Sequence, residues 1–114
     1  LDALYILGAS TCAISGVAVI YAALSRPESL AYIAEQLSTS LEIALIVMLL
    51  TGALHIAIAA LGISMIIAMW SAGRKKGFKY IAVAASIAAL LLLAGYIVGA
   101  IAMLIASAIY ILKN

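Results

Sequence analysis

Charge, cysteine and histidine are all scarce in this sequence, and each shortage removes a class of protein. Only 9% of the 114 residues are charged, while 69% are hydrophobic. A soluble domain of this length needs far more polar surface to cover its core, so the composition reads as that of a membrane protein. The net charge of +2 is too small for the chain as a whole to be a nucleic-acid binder. A single cysteine, Cys12, excludes an intrachain disulfide and reads as a small residue buried between helices. His55 is the only histidine and has no cysteine or carboxylate at ligand spacing, so no metal or haem site is expected. It reads as a neutral imidazole hydrogen-bonded to a nearby carbonyl or hydroxyl. No side chains converge into a catalytic set, and an enzyme is not expected. Residues 80–112 and 3–24 lack carboxylates. The first absence argues against a proton-carrying rotor subunit, the second against a small multidrug exporter.

What the chain does have is three long apolar runs, at about 1–24, 41–72 and 78–112. Each reaches the roughly 20 residues needed to cross a hydrocarbon layer as a helix. No run shows the alternation of a barrel strand, and in lipid the remaining solution is helix. The expected fold is therefore all-α: an N-terminal apolar helix over 1–24, a connector over 25–40, and a long antiparallel helical hairpin over 41–114. The chain starts at Leu1 and not at methionine, which suggests a removed leader or a trimmed sequence. Residues 1–24 are longer than a signal h-region and lack a basic n-region, so they read as a retained helix.

Within the connector, Pro27 suits the first turn of a short amphipathic helix, with Glu28 favourable there. Leu30, Ile33, Ala34 and Leu37 share one side of it. Ser38-Thr39-Ser40 favours a break over a continuous helix, with Ser40 as N-cap and Glu42 in the next first turn.

The hairpin bend carries the densest signal. Residues 73–79, Gly-Arg-Lys-Lys-Gly-Phe-Lys, hold four of the six basic side chains. Arg74, Lys75, Lys76 and Lys79 would face the cytoplasm in a bilayer and attract anionic head groups. Gly73 is expected to end the first arm with positive φ, and Gly77 to let the chain turn back. Trp70, Phe78 and Tyr80 put rings at the polar boundary. As helices the two arms would extend about 48 and 52 Å, well beyond a hydrocarbon core of about 30 Å.

Small residues line every long segment. Gly8, Cys12 and Gly16 recur at four-residue steps, as do Ala60, Ser64, Ala68 and Ala72. Ala82, Ala85 and Ala89 are followed by the Gly95/Gly99 pair. Such faces allow close helix contact in lipid. There are more of them than one hairpin needs, which points to tight self-association through Gly8, Cys12, Gly16, Ala60, Ser64, Ala68, Gly95 and Gly99.

Over about residues 41–112 the chain resembles the major pilins of conjugative type IV secretion systems, the TrbC-like family, including the pilins of archaeal DNA-import (Ced) machinery. The resemblance lies in the apolar arm ending Ile66-Ile67-Ala68-Met69-Trp70, the turn Gly73-Arg74-Lys75-Lys76-Gly77 and the second apolar arm. It implies a subunit that waits in the cell membrane and is then extracted by membrane secretion machinery into an extracellular helical homopolymer. Arg74, Lys75, Lys76 and Lys79 would then line a lumen and meet lipid head groups. Bound membrane lipid is the only non-protein component it implies, and single-stranded DNA the transported cargo. A dense bare positive lining would hold phosphates, and anionic head groups would mask it. Residues 1–40 fall outside the resemblance. The rival reading is a small three-span membrane protein, such as a holin-like pore or an accessory subunit of a membrane complex.

Overall fold

The computed structural model describes residues Leu1–Lys113, apart from the side chain of Ser29. It is all-α: α1 (Asp2–Ser25), α2 (Pro27–Gln36), α3 (Leu41–Ala72), α4 (Lys76–Leu91) and α5 (Val98–Leu112), with a single 3₁₀ turn at Ala94–Tyr96 between the last two. The longest dimension, 48 Å, is that of α3 alone, whose 32 residues rise about 48 Å.

Local chemistry sets most of the boundaries. Arg26 is extended, at φ −126° and ψ 95°, as expected of a residue before proline, and Pro27 opens α2. Ser40 caps α3, its hydroxyl accepting the Ile43 amide proton at 3.3 Å. Gly73 ends α3 at φ +91°, a conformation that glycine adopts without a Cβ penalty. The two N-terminal helices, the break at 38–40 and the first hairpin arm all fall where the sequence places them.

The second arm does not. It is not one helix over 78–112 but two, α4 and α5, folded back on each other at a tip spanning Leu92–Ile97. Ser86 and Ser107 face each other across this inner hairpin with their hydroxyls 3.2 Å apart. The C-terminal end of α5 thereby returns to the basic turn, where the Tyr110 hydroxyl donates to Asp2. Four residues at the tip have positive φ: Leu93 (55°), Gly95 (64°), Tyr96 (55°) and Ile97 (71°). Gly95 tolerates this. Each of the other three costs about 1–2 kcal/mol, most acutely the β-branched Ile97. Hydrogen bonds and packing at the tip must outweigh that cost, because α-helical propensity alone favours a straight arm.

The basic turn is also tighter than 73–77. Only Gly73, Arg74 and Lys75 are non-helical, while Lys76 and Gly77 already belong to α4. Gly77 has open space around it and no positive φ, so the reversal rests on Gly73 alone.

Helix α1 lies at the centre, antiparallel to both α3 and α5. Its small residues set these approaches. A Cβ on Gly8 would sit 2.5 Å from the Gly99 carbonyl oxygen, and one on Gly16 would sit 2.6 Å from that of Gly52. Tyr5, Ala9 and Cys12 are fully buried beside Ile66, Ala82, Ala89 and Met103. The stripe Gly8-Cys12-Gly16, expected to join separate subunits, is thus used within one chain, as is Gly99. Gly95 is not on a helix face at all but forms the tip. Only Ala60, Ser64 and Ala68, of the small residues expected to mediate self-association, lie outside the buried face of α3. That face is instead Ala44, Met48, Gly52, His55, Ala59, Gly62, Ile66 and Met69.

Candidate functional site

Besides the buried Ser86–Ser107 pair, two polar clusters stand out among the described residues of the apolar bundle, one at its basic end and one midway along it. At the basic end Asp2 gathers side chains from three other elements. Its carboxylate accepts from Trp70 Nε1 at 2.6 Å, from Arg74 Nη2 at 2.9 Å and from the Tyr110 hydroxyl. Arg74 also stacks over the Tyr110 ring, 5.2 Å from its centroid. The hydrogen bond to Asp2 raises the Arg74 pKa above its ordinary value, so its charge is fixed. Asp2 thus ties the start of α1 to the end of α3, the turn and the end of α5. Sequence reading passed over Asp2 because its partners lie between 68 and 108 residues away.

The four basic residues singled out from the sequence are not equivalent. Lys75 and Lys76 are exposed. Arg74 is half-exposed and engaged with Asp2. Lys79 is buried, 7% exposed, on the inner side of α4, so an outward, lumen-facing position for it does not fit this conformation. Arg74 and Lys79 line a cleft of about 540 Å³ with Leu1, Asp2, Ala3, Tyr110 and Lys113. Lys113 was not among the expected site residues. It joins them only because the second arm folds back.

Charge is therefore polarised along the bundle. Five of the six Lys and Arg residues, with Asp2, gather at this end. Arg26, Glu28, Glu35 and Glu42 sit in or beside α2 and at the start of α3.

Replacing Asp2 by Asn keeps the shape of the hub and removes its charge. Because Trp70 is the only tryptophan, its emission reports the hub directly. The expected outcome is a shift of that emission with a stability loss of about 1 kcal/mol, since Arg74 of the pair is half-exposed. Fluorescence and thermal unfolding of the same sample measure both.

Midway along the molecule, His55 holds the tip. Its Nε2 lies 3.1 Å from the Leu92 carbonyl oxygen, which can only accept, so Nε2 carries a proton. Its Nδ1 is 3.2 Å from Ser15 Oγ. The same Ser15 oxygen accepts the Gly95 amide proton at 2.8 Å and lies 2.7 Å from the Cys12 carbonyl. With the imidazole neutral, the one Ser15 hydroxyl proton is shared between Nδ1 and Cys12 O. Every group in the network is then paired. Leu93 N–H donates to Leu90 O and Ile97 N–H to Ala94 O, which satisfies further amides of the non-helical stretch. The expected environment of His55, a carbonyl and a hydroxyl, is found. Its role as the anchor of a fold-back is not visible without knowing where Leu92 goes.

Beside the tip lies an open cavity of about 580 Å³, walled by α1, α2, α3 and the tip, with Glu28, Tyr32, His55 and Tyr96 among its lining residues. No group of His, Cys, Asp and Glu able to hold a metal occurs among the described residues. Two helices, Asp2–Ser25 and Leu41–Ala72, are long and apolar enough to cross a membrane. Comparison with protein-family models, with curated proteins and with solved structures finds no match.

Proposed function

We propose that this chain is a non-enzymatic structural subunit of a conjugation-type pilus, membrane-resident first and then polymerised into a lipid-containing helical tube for DNA transfer. The observation that carries this reading is the distribution of surface. Large apolar side chains on the outside of α1 and α3, such as Leu7, Ile14, Val17, Ile46 and Leu50, are 57–65% exposed. The small-residue stripe Ala60, Ser64, Ala68 and Ala72 also lies outside the buried face. In lipid these faces are solvated by acyl chains, and the small-residue stripe suits close contact with another copy.

The charges support the same reading. A cationic end with an apolar waist orients in a bilayer with the basic turn towards the cytoplasm. Lys75, Lys76 and Lys113 are then placed to pair with anionic head groups, and Arg74 to do so beside Asp2. In a tube such pairing would keep a passing single strand from sticking to the wall. Secretion machinery in the membrane would supply the extraction step.

Electron microscopy of the protein isolated from native cells, with mass spectrometry of its lipid, tests this. Continuous filaments retaining anionic lipid are expected. Discrete particles alone, from every preparation, would remove the proposal.

One observation favours a second reading. The bundle closes on itself through α5, as an accessory subunit of a membrane complex or a small pore-former would. Dye release from liposomes by the isolated protein would favour the pore, and inert behaviour with retained lipid the pilin.

A further inference from the structure

The geometry points to α5 as an exchangeable arm: in the associated protein, the groove that α5 fills on its own α1 and α4 is filled by α5 of a second copy. This deepens the polymer reading above and rests on it for its biological setting.

Three features carry the inference. First, α5 is a separable unit. It docks through Gly99 and Met103 on Gly8, through Ser107 on Ser86 and through Tyr110 on Asp2, contacts that lie on α1 and α4. The only covalent link to the rest is the six-residue tip Leu92–Ile97.

Second, the tip is built to open. Leu93, Tyr96 and Ile97 hold positive-φ conformations while being 62%, 64% and 42% exposed. They can rearrange without crossing the core. The stretch Leu91-Leu92-Leu93-Ala94-Gly95-Tyr96-Ile97-Val98 contains no proline. Returning it to helical angles relieves the strain and yields one helix from Lys76 to Leu112, about 55 Å long.

Third, the vacated groove selects its occupant. At Gly8 the partner backbone comes so close that a Cβ would meet the Gly99 carbonyl oxygen at 2.5 Å, and a Cβ on Gly99 would meet the Gly8 carbonyl oxygen at 2.8 Å. Only a helix with glycine at that register, a serine two turns on to meet Ser86, and a tyrosine at the end to reach Asp2 restores every contact. The α5 of another copy is that helix. Exchange of an identical element between copies keeps the helix–helix contacts of α5, and release of the hinge strain offsets the loss of the tip's bonds to His55 and Ser15.

The test uses the full chain in a Cys12→Ala background. One tagged copy carries Ser86→Cys and a differently tagged copy carries Ser107→Cys; the two are co-expressed and oxidised in the membrane. Exchange predicts a disulfide-linked mixed dimer at least tenfold above the level given by either variant alone. A chain carrying both substitutions, diluted in detergent, reports the fold by forming the bond within itself. If associated material gives no mixed bond above that background, the exchange is wrong.

Filaments whose double variant forms only intrachain bonds would overturn exchange and leave the pilus reading intact. Mixed bonds in material that never forms filaments would support exchange and count against the pilus. On the unmodified chain, isotope-mixed copies provide a second measurement. Exchanged assemblies keep their partners after dilution until heated towards unfolding. Scrambling within minutes at low temperature would contradict the inference.

Discussion

Replacing Gly8 by leucine is expected to undo the docking of α5 on α1. The Cβ alone would lie 2.5 Å from the Gly99 carbonyl oxygen and 2.8 Å from Met103 Cγ. The first of these is backbone, so no rotamer change relieves it. Overpacking of a well-packed core usually costs about 1–3 kcal/mol, and a backbone clash at a helix crossing belongs at or above the top of that range. The expected result is a fall in unfolding temperature of about 10 °C or more, followed in detergent by near-ultraviolet circular dichroism of the tyrosines. Gly77→Leu is the matched control. It adds the same side chain to a position with nothing within 4 Å, and is expected to leave stability within about 1 kcal/mol, since leucine is the better helix former.

The second large effect is expected at His55. Leucine there removes the donor to the Leu92 carbonyl and the partner of Ser15 in a site where His55 is only 4% exposed. A buried acceptor left unpaired costs about 1–3 kcal/mol, and at the tip that loss adds to the strain of Leu93, Tyr96 and Ile97. Protection of the Gly95 amide against hydrogen exchange should fall by about ten- to a hundred-fold, the equivalent of that energy at 1.36 kcal/mol per tenfold. His55→Gln retains a donor and should recover part of the protection. Equal loss in both variants would mean that ring packing, not the hydrogen bond to Leu92, holds the tip.

The contrast between the two hairpin arms explains what the sequence could and could not disclose. The first arm was legible because its ends are local events: Ser40 caps, Gly73 stops, and the residues between are predominantly apolar. Pro27 marked the start of α2 for the same reason. The break in the second arm has no local cause strong enough to announce it. Gly95 is a single glycine in an otherwise helix-forming run, indistinguishable by spacing from the helix-packing glycine that Gly99 proves to be. What bends the chain there is distant, namely Ser15 on α1 and His55 on α3.

The candidate site divides in the same way. The basic cluster at 73–79 is a property of seven consecutive residues and could be found directly. Asp2 and Lys113 join it only through the path of the whole chain, and Lys79 turns inward because its helical phase puts it on the buried side of α4. The spacing of a small-residue stripe does not say whether the partner is the same chain or another. The structure assigns Gly8, Cys12 and Gly16 to contacts within the chain and leaves the Ala60, Ser64 and Ala68 stripe facing outward.

The fold-back of α5 is the feature on which both the tip network and the exchange of arms depend. It can be measured as a distance between spin labels at positions 76 and 113, introduced as Lys76→Cys and Lys113→Cys with Cys12→Ala, in dilute detergent. A folded-back arm places the two at the same end of the bundle, less than roughly 25 Å apart, one interhelical spacing plus the reach of the labels. A single population near 55 Å, the length of an unbroken helix over those residues at about 1.5 Å per residue, would contradict it.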